Sequence, residues 1–129
     1  MRTPTTVTIN GHNFMVEVAT TAFQREKGLS NRDSLSANTG MLFIFPKADI
    51  YPFWMKETKI PLDIIYIDND PSTGSGQGKI VEITTLNPPI DNNIPQYTPK
   101  NKADKVLEIN ANESALGGFK IGDLVEIIY

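Results

Sequence analysis

Two arginines, a tryptophan, a lysine and an aspartate are the side chains of this chain best suited by type and spacing to do chemistry. Arg25 and Arg32 bracket Gly28-Leu29. Two guanidinium groups beside such a bend can hold a carboxylate or a phosphate through paired N–H donors. Trp54, Lys56 and Asp63 fall in the stretch Tyr51-Pro52-Phe53-Trp54-Met55-Lys56-Glu57-Thr58-Lys59-Ile60-Pro61-Leu62-Asp63, which carries the only tryptophan. In an extended segment Trp54 and Lys56 share a face. Pairing of residues 53–56 with residues 62–68 would bring Asp63 towards Lys56. A flat aromatic beside a cation and a carboxylate suits a small polar ligand with an apolar face, such as a sugar or a peptide. The competing reading makes Trp54 a core anchor, Lys56 and Asp63 a salt bridge, and the arginines partners of acids such as Glu26 or Asp33.

Other chemistries fall away. With no cysteine, disulfides, thiol catalysis and cysteine-held metals are excluded. The one histidine, His12, sits at a turn and cannot by itself build a histidine zinc site or serve a distant serine. Asp68-Asn69-Asp70-Pro71-Ser72-Thr73 starts like a calcium loop. Thr73 stands where the sharp turn needs glycine, and Lys79 where the bidentate glutamate belongs. Gly74-Ser75-Gly76-Gln77-Gly78-Lys79 fails as a phosphate loop, because Thr73 replaces its first glycine and Ile80 its magnesium-binding hydroxyl. No metal and no cofactor is expected. Carboxylates remain, and Asp63, Asp68, Glu82 and Glu108 lie on strand candidates. A glycan hydrolase using Asp63 and Glu108 is therefore the enzymatic alternative. It is the less favoured reading, since no spacing makes any two acids converge. The formal net charge of −3 argues against a nucleic-acid binder.

The elements that would position these groups are short strands. Asn10-Gly11 is a favoured two-residue hairpin turn. It pairs Ile9 with His12 and Val7 with Phe14, and puts Val7, Ile9, Phe14, Val16 and Val18 on one face. Thr21 and Gln24 form a capping box for a helix over residues 22–27, which Gly28 ends in a left-handed conformation. Residues 40–45 read as a strand buried on both faces and closed by Pro46. Further strands are expected at 53–56, 62–68, 79–86, 105–109 and 124–129, with a short helix near 112–117. In the 62–68 strand Leu62, Ile64 and Tyr66 oppose Asp63, Ile65 and Ile67. Residues 68–78 form a glycine-rich hairpin tip. Residues 87–102 form a long loop holding Pro88, Pro89, Pro95 and Pro99. The chain of 129 residues, 40% hydrophobic and 21% charged, is expected to be a single domain. Its fold class is mainly β: a small closed or partly open antiparallel barrel with one or two short helices.

Three ordered motifs then carry a resemblance. They are Arg25-x-x-Gly28-Leu29-x-x-Arg32, Gly40-Met41-Leu42-Phe43-x-Phe45 and Phe53-Trp54-Met55-Lys56-x-Thr58-x-Ile60-Pro61-Leu62-Asp63. Together with Val106-Leu107-Glu108 and Ile121-Gly122-Asp123, they resemble the domain-of-unknown-function 192 family over roughly residues 7–127. The family usually has methionine at Ser30, asparagine at Glu57 and glycine at Asn112. If its asparagine contacts a ligand, Glu57 should alter the ligand or its affinity. The resemblance implies a small β-rich domain and lends no reaction. It places Arg25, Arg32, Trp54, Lys56 and Asp63 on signature positions, as a shared pocket or as shared packing.

The expected function is a non-enzymatic ligand- or partner-binding domain with its site at those five residues. A module that binds proteins through residues 87–102 is a further alternative. The chain is expected to act as a monomer. No apolar run approaches the ~20 residues of a membrane span, so a membrane would be reached only through a trimmed N-terminal segment. Members of the family often look exported, which favours an extracytoplasmic location if such a segment was removed, and a cytoplasmic one otherwise.

Overall fold

A computed structural model of the chain describes residues 4–69 and 77–129. The remainder of the calcium-like and phosphate-loop-like stretch, residues 70–76, lies outside them.

The elements follow the polar and apolar pattern closely. The Asn10-Gly11 turn has φ of 50° and 77° at its two residues. It joins β1 (Thr5–Ile9) to β2 (His12–Ala19) in the expected register. Thr21 and Gln24 satisfy each other's backbone donors at the start of α1 (Ala22–Lys27). Gly28 ends α1 with a positive φ of 49°, but its ψ of −132° lies outside the expected left-handed helical region. A Cβ there would sit 3.4 Å from the Phe43 ring.

β3 (Thr39–Asp49) does not stop at Pro46. It runs through it, with a register irregularity between Ile44 and Asp49 that spares the proline a ladder bond. β4 (Phe53–Trp54) is shorter than expected. It is followed by β5 (Leu62–Asn69), β6 (Gln77–Leu86), β7 (Gln96–Tyr97), β8 (Ala103–Asn110), α2 (Glu113–Leu116) and β9 (Leu124–Ile128).

Seven strands close into a barrel in the order β1-β2-β3-β8-β5-β6-β9, with β9 returning to β1. Every pair is antiparallel except β2 and β3, which run parallel and are joined through α1. The short helix thus supports one crossover, where only antiparallel neighbours were expected.

Two apolar clusters lie on the two faces of the sheet. Val7, Phe14, Leu42, Ile65, Ile80, Leu107 and Val125 belong to a cluster drawn from all seven strands, the barrel interior. Met41, Phe43, Ile64, Tyr66 and Val106 point outwards from β3, β5 and β8. They are covered by Leu29, Met55 and Ile60 from the segments after α1 and β4. The alternation expected along β5 is what divides Ile64 and Tyr66 from Ile65 and Ile67. Among the described residues no helix is long and apolar enough to cross a membrane.

Candidate functional site

The outer cover of the β3-β8-β5 face is incomplete. Between α1, the 51–58 segment and the sheet it leaves a pocket of about 240 Å³. Arg25, Trp54 and Lys56 all line it.

Each is placed by a local cause. The capping box fixes the start of α1, and Arg25, one turn on, reaches back over the chain. Its Nη1 donates to the carbonyls of Thr20 at 2.5 Å and Ile44 at 2.9 Å. Its guanidinium lies 5.0 Å from the centre of the Phe45 ring. The cation is anchored by carbonyls and an aromatic face, and its charge has no carboxylate partner among the described residues.

β4 pairs with β7, so that Phe53 faces Tyr97 and Trp54 faces Gln96. The Met55 N–H donates to the Pro95 carbonyl at 3.0 Å. This corrects the expected pairing of residues 53–56 with β5: the proline-rich loop takes the position of partner. Phe53 turns inwards, edge-on to Phe43 at 5.1 Å and Tyr66 at 6.1 Å. Trp54 faces out, half exposed at 50%, with the Lys56 ammonium 5.2 Å from its ring.

Asp63 does not approach Lys56. It is buried on the opposite side of the sheet, on the interior parity of β5. There it accepts hydrogen bonds from Thr85 Oγ1 at 2.6 Å, Ser114 N at 3.0 Å and Ser114 Oγ at 2.5 Å. These bonds tie β5 to β6 and to α2. Arg32 also lies apart from the pocket. It makes a two-pronged pair with Glu17, Nη2 to Oε1 at 2.8 Å, at the rim of a different hollow. The hydrogen bond from Arg32 holds the Glu17 carboxyl below its usual range, and the same bond raises Arg32. Of the five residues singled out from the sequence, the fold thus brings together Arg25, Trp54 and Lys56 and sends Arg32 and Asp63 elsewhere.

Glu108 takes a place at the pocket that sequence reasoning did not give it. It stands on β8 opposite Ile64 of β5 and Met41 of β3, on the outward face of the sheet. Only 5% exposed, it lines the pocket and makes no hydrogen bond or ion pair with any described residue. Burial pushes its carboxyl up to about 8, so most of it is the neutral acid at pH 7. The sequence signal was an acid set between Leu107 and Ile109 in a strand apolar on both faces. Asp63 pairs in register with Ile109 and Ile64 with Glu108. The two carboxylates therefore point to opposite faces, and they do not form a pair across one substrate.

Ser30 lines this pocket and also an adjoining hollow of about 300 Å³, which adds Phe23 and Glu57. A methionine at Ser30 would occupy space that the serine leaves open. Glu57 itself has φ of 56°, a left-handed conformation in which asparagine is several-fold enriched. Backbone geometry thus accounts for an asparagine there without any ligand. Asn112 has φ of 78°, a conformation that glycine adopts without strain.

Comparisons with known proteins agree with this architecture. The family model DUF192, described as an uncharacterized ACR, matches residues 5–127. A protein of unknown function from Novosphingobium aromaticivorans DSM 12444 is 35% identical, with a TM-score of 0.78 over 95% of this chain and 83% of its own. A protein from Sinorhizobium meliloti 1021, described as a candidate transcription regulator, is 30% identical. Its TM-score is also 0.78, over 95% of this chain and 91% of its own. No curated relative matches the sequence.

Proposed function

The chain belongs to the DUF192 family, and on that premise we propose that it is a non-enzymatic binding domain for a small polar ligand with an apolar face. The pocket bounded by Arg25, Trp54, Lys56 and Glu108 is the site. The observation that carries this reading is the buried carboxyl of Glu108, which faces the pocket without a partner among the described residues. The residue is little exposed and its carboxyl meets solvent at the pocket, where a ligand can supply the bond that no described residue makes. Aromatic walls from Phe43, Phe53 and Trp54 provide apolar contact, while Arg25 and Lys56 provide orientation.

Titration with a panel of sugars, short peptides and metabolites, followed by Trp54 fluorescence and backbone amide shifts, tests the reading. Saturable shifts confined to α1, residues 51–58 and β8 are expected. A panel that leaves all three unmoved removes the site.

We place the role outside the cytoplasm if an export segment was removed, and in the cytoplasm otherwise. The support for export is the family resemblance alone, and recovery of the native protein solely in the cytosolic fraction of its host would overturn it. The candidate transcription regulator among its relatives lends this chain no DNA-binding role, because the chain is acidic overall.

The two alternatives fare differently. A glycan hydrolase built on Asp63 and Glu108 finds no support in side chains that diverge across a sheet. Residues 87–102 as a protein-docking loop keep one observation in their favour, the exposed Ile90 and Ile94 near the tip. Hydrogen exchange in that loop that never changes in the presence of cell extract would count against docking.

A further inference from the structure

We infer that the pocket takes a small zwitterion, an amino-acid-like molecule whose ammonium group pairs with Glu108 and whose carboxylate faces Arg25 and Lys56. The inference rests on the pocket being a binding site and adds the chemistry of what enters it.

The pocket lining carries both signs: Glu108 on the sheet side, and on the cover side Arg25, Lys27 and Lys56 with Glu26 among them. On the sheet side stands Glu108, more than nine-tenths buried and unpaired among the described residues. The rings of Phe43, Phe53, Tyr51 and Trp54 line the same pocket. Aromatic faces attract cations, and a carboxylate among them completes a site for an ammonium. On the cover side stand Arg25 and Lys56, neither of which pairs with a carboxylate among the described residues. A ligand that is only an amine or only an acid answers either Glu108 or the pair Arg25 and Lys56, and leaves the other without a partner. The volume of about 240 Å³ is roughly eight water volumes, on the order of a small amino acid.

Pairing with an ammonium converts Glu108 from acid to carboxylate, and its proton leaves to solvent. The groups that face it are Tyr66 on β5, Arg25, Glu26 and Lys27 from α1, and Tyr51 and Lys56 from the segment after β3. Burial, and next the charge of Glu82, push the Tyr66 hydroxyl up, so it stays protonated through this range. Affinity for an ammonium ligand should therefore rise by about tenfold per pH unit from pH 6, levelling off near 8, where Glu108 titrates. A ligand that accepts a hydrogen bond from the neutral acid would show the reverse trend.

The test measures calorimetric and amide-shift binding of 4-aminobutanoate, alanine, valine and leucine beside their N-acetyl derivatives, and of methyl glycosides. It is run at pH 6, 7 and 8, in buffers of different ionisation enthalpy. The expected result is binding of the amino compounds with release of close to one proton at pH 7, and loss on N-acetylation. In Glu108→Gln affinity should fall by about ten- to a hundredfold and lose its pH slope. N-acetyl derivatives or glycosides that bind as tightly overturn the zwitterion while the pocket stands. Binding by none of the compounds overturns the zwitterion and removes the support for the pocket with it. Because the proton count is read on the unaltered protein, the outcome does not depend on the variant folding.

Discussion

Two glutamates stand on the same outward face of the barrel sheet, on either side of Tyr66, and they have opposite fates. Glu82 on β6 is paired with Tyr66 of β5 in register, and Glu108 on β8 lies one diagonal away on the other side. Their exposed areas are almost equal, at 6% and 5%, though Glu108 lies the deeper of the two. Glu82 accepts hydrogen bonds from Lys100 N at 2.9 Å, Asn101 N at 3.1 Å, Asn101 Nδ2 at 3.1 Å and the Tyr97 hydroxyl. Burial alone would raise its pKa, but those bonds outweigh burial and hold it below the ordinary value of 4.5. Glu108 has burial without the bonds, and its carboxyl moves up to about 8. The lesson is that exposed area alone does not decide what a buried acid is for. The donors around it do. Glu82 is a fastener that pins the end of the 87–102 loop, and that loop in turn holds β4 and Trp54 in place. Glu108 is left open to the pocket.

The sharpest way to break this comparison is to remove the fastener. Glu82→Ala strands four donors, each worth about 1 kcal/mol, so a loss of about 4 kcal/mol is expected by chemical denaturation. Amide shifts in residues 96–101 and at Trp54 should accompany it. Retained stability would mean that the loop is held by other means.

The pH dependence of stability separates the pair next. Glu108 is raised in the folded state, so the unfolded chain loses its proton first. Its contribution is present below 4.5 and is lost as pH rises from 4.5 to about 8. That loss is on the order of 3 kcal/mol between pH 5 and 8. Glu82 is lowered, so its contribution is present above 4.5 and is lost as pH falls through its folded value. Denaturation of Glu108→Gln across this range should show a flatter alkaline limb than the unaltered protein. An unchanged slope would place the titration elsewhere.

Filling the pocket sharpens the open half of the comparison. Ser30→Met should weaken ligand binding by about tenfold, or roughly 1.4 kcal/mol, with stability little changed. The smallest effect is expected at Glu57. Relief of its left-handed φ of 56° by Glu57→Gly should stabilise the chain by up to about 1 kcal/mol, and Glu57→Asn by less. A loss of binding in Glu57→Asn would restore the idea that this position meets the ligand.

Much of the fold was legible because it rests on local rules. Asn10-Gly11 set a register, Thr21 and Gln24 capped a helix, and alternation along residues 62–67 sorted two apolar faces. The site was less legible. Arg25, Trp54 and Lys56 could be singled out as cations and an aromatic in a dense stretch. Arg32 and Asp63 looked the same in sequence, yet their partners, Glu17, Thr85 and Ser114, come from other elements. Pro46 misled because a proline ends a paired strand only where its missing N–H is needed, and the irregularity after Ile44 removes that need.

The sequence by itself determined the β-rich class, the hairpin register, the faces along β1, β2 and β5, and the chemistries that are absent for want of cysteine and further histidine. These follow from backbone geometry and composition, which act within a few residues. Only the tertiary structure decided that β4 pairs with β7, that Asp63 serves α2, and that of two similar buried glutamates one is bonded and the other is not. Those outcomes depend on which distant donors arrive beside a carboxylate, and no local pattern encodes that arrival.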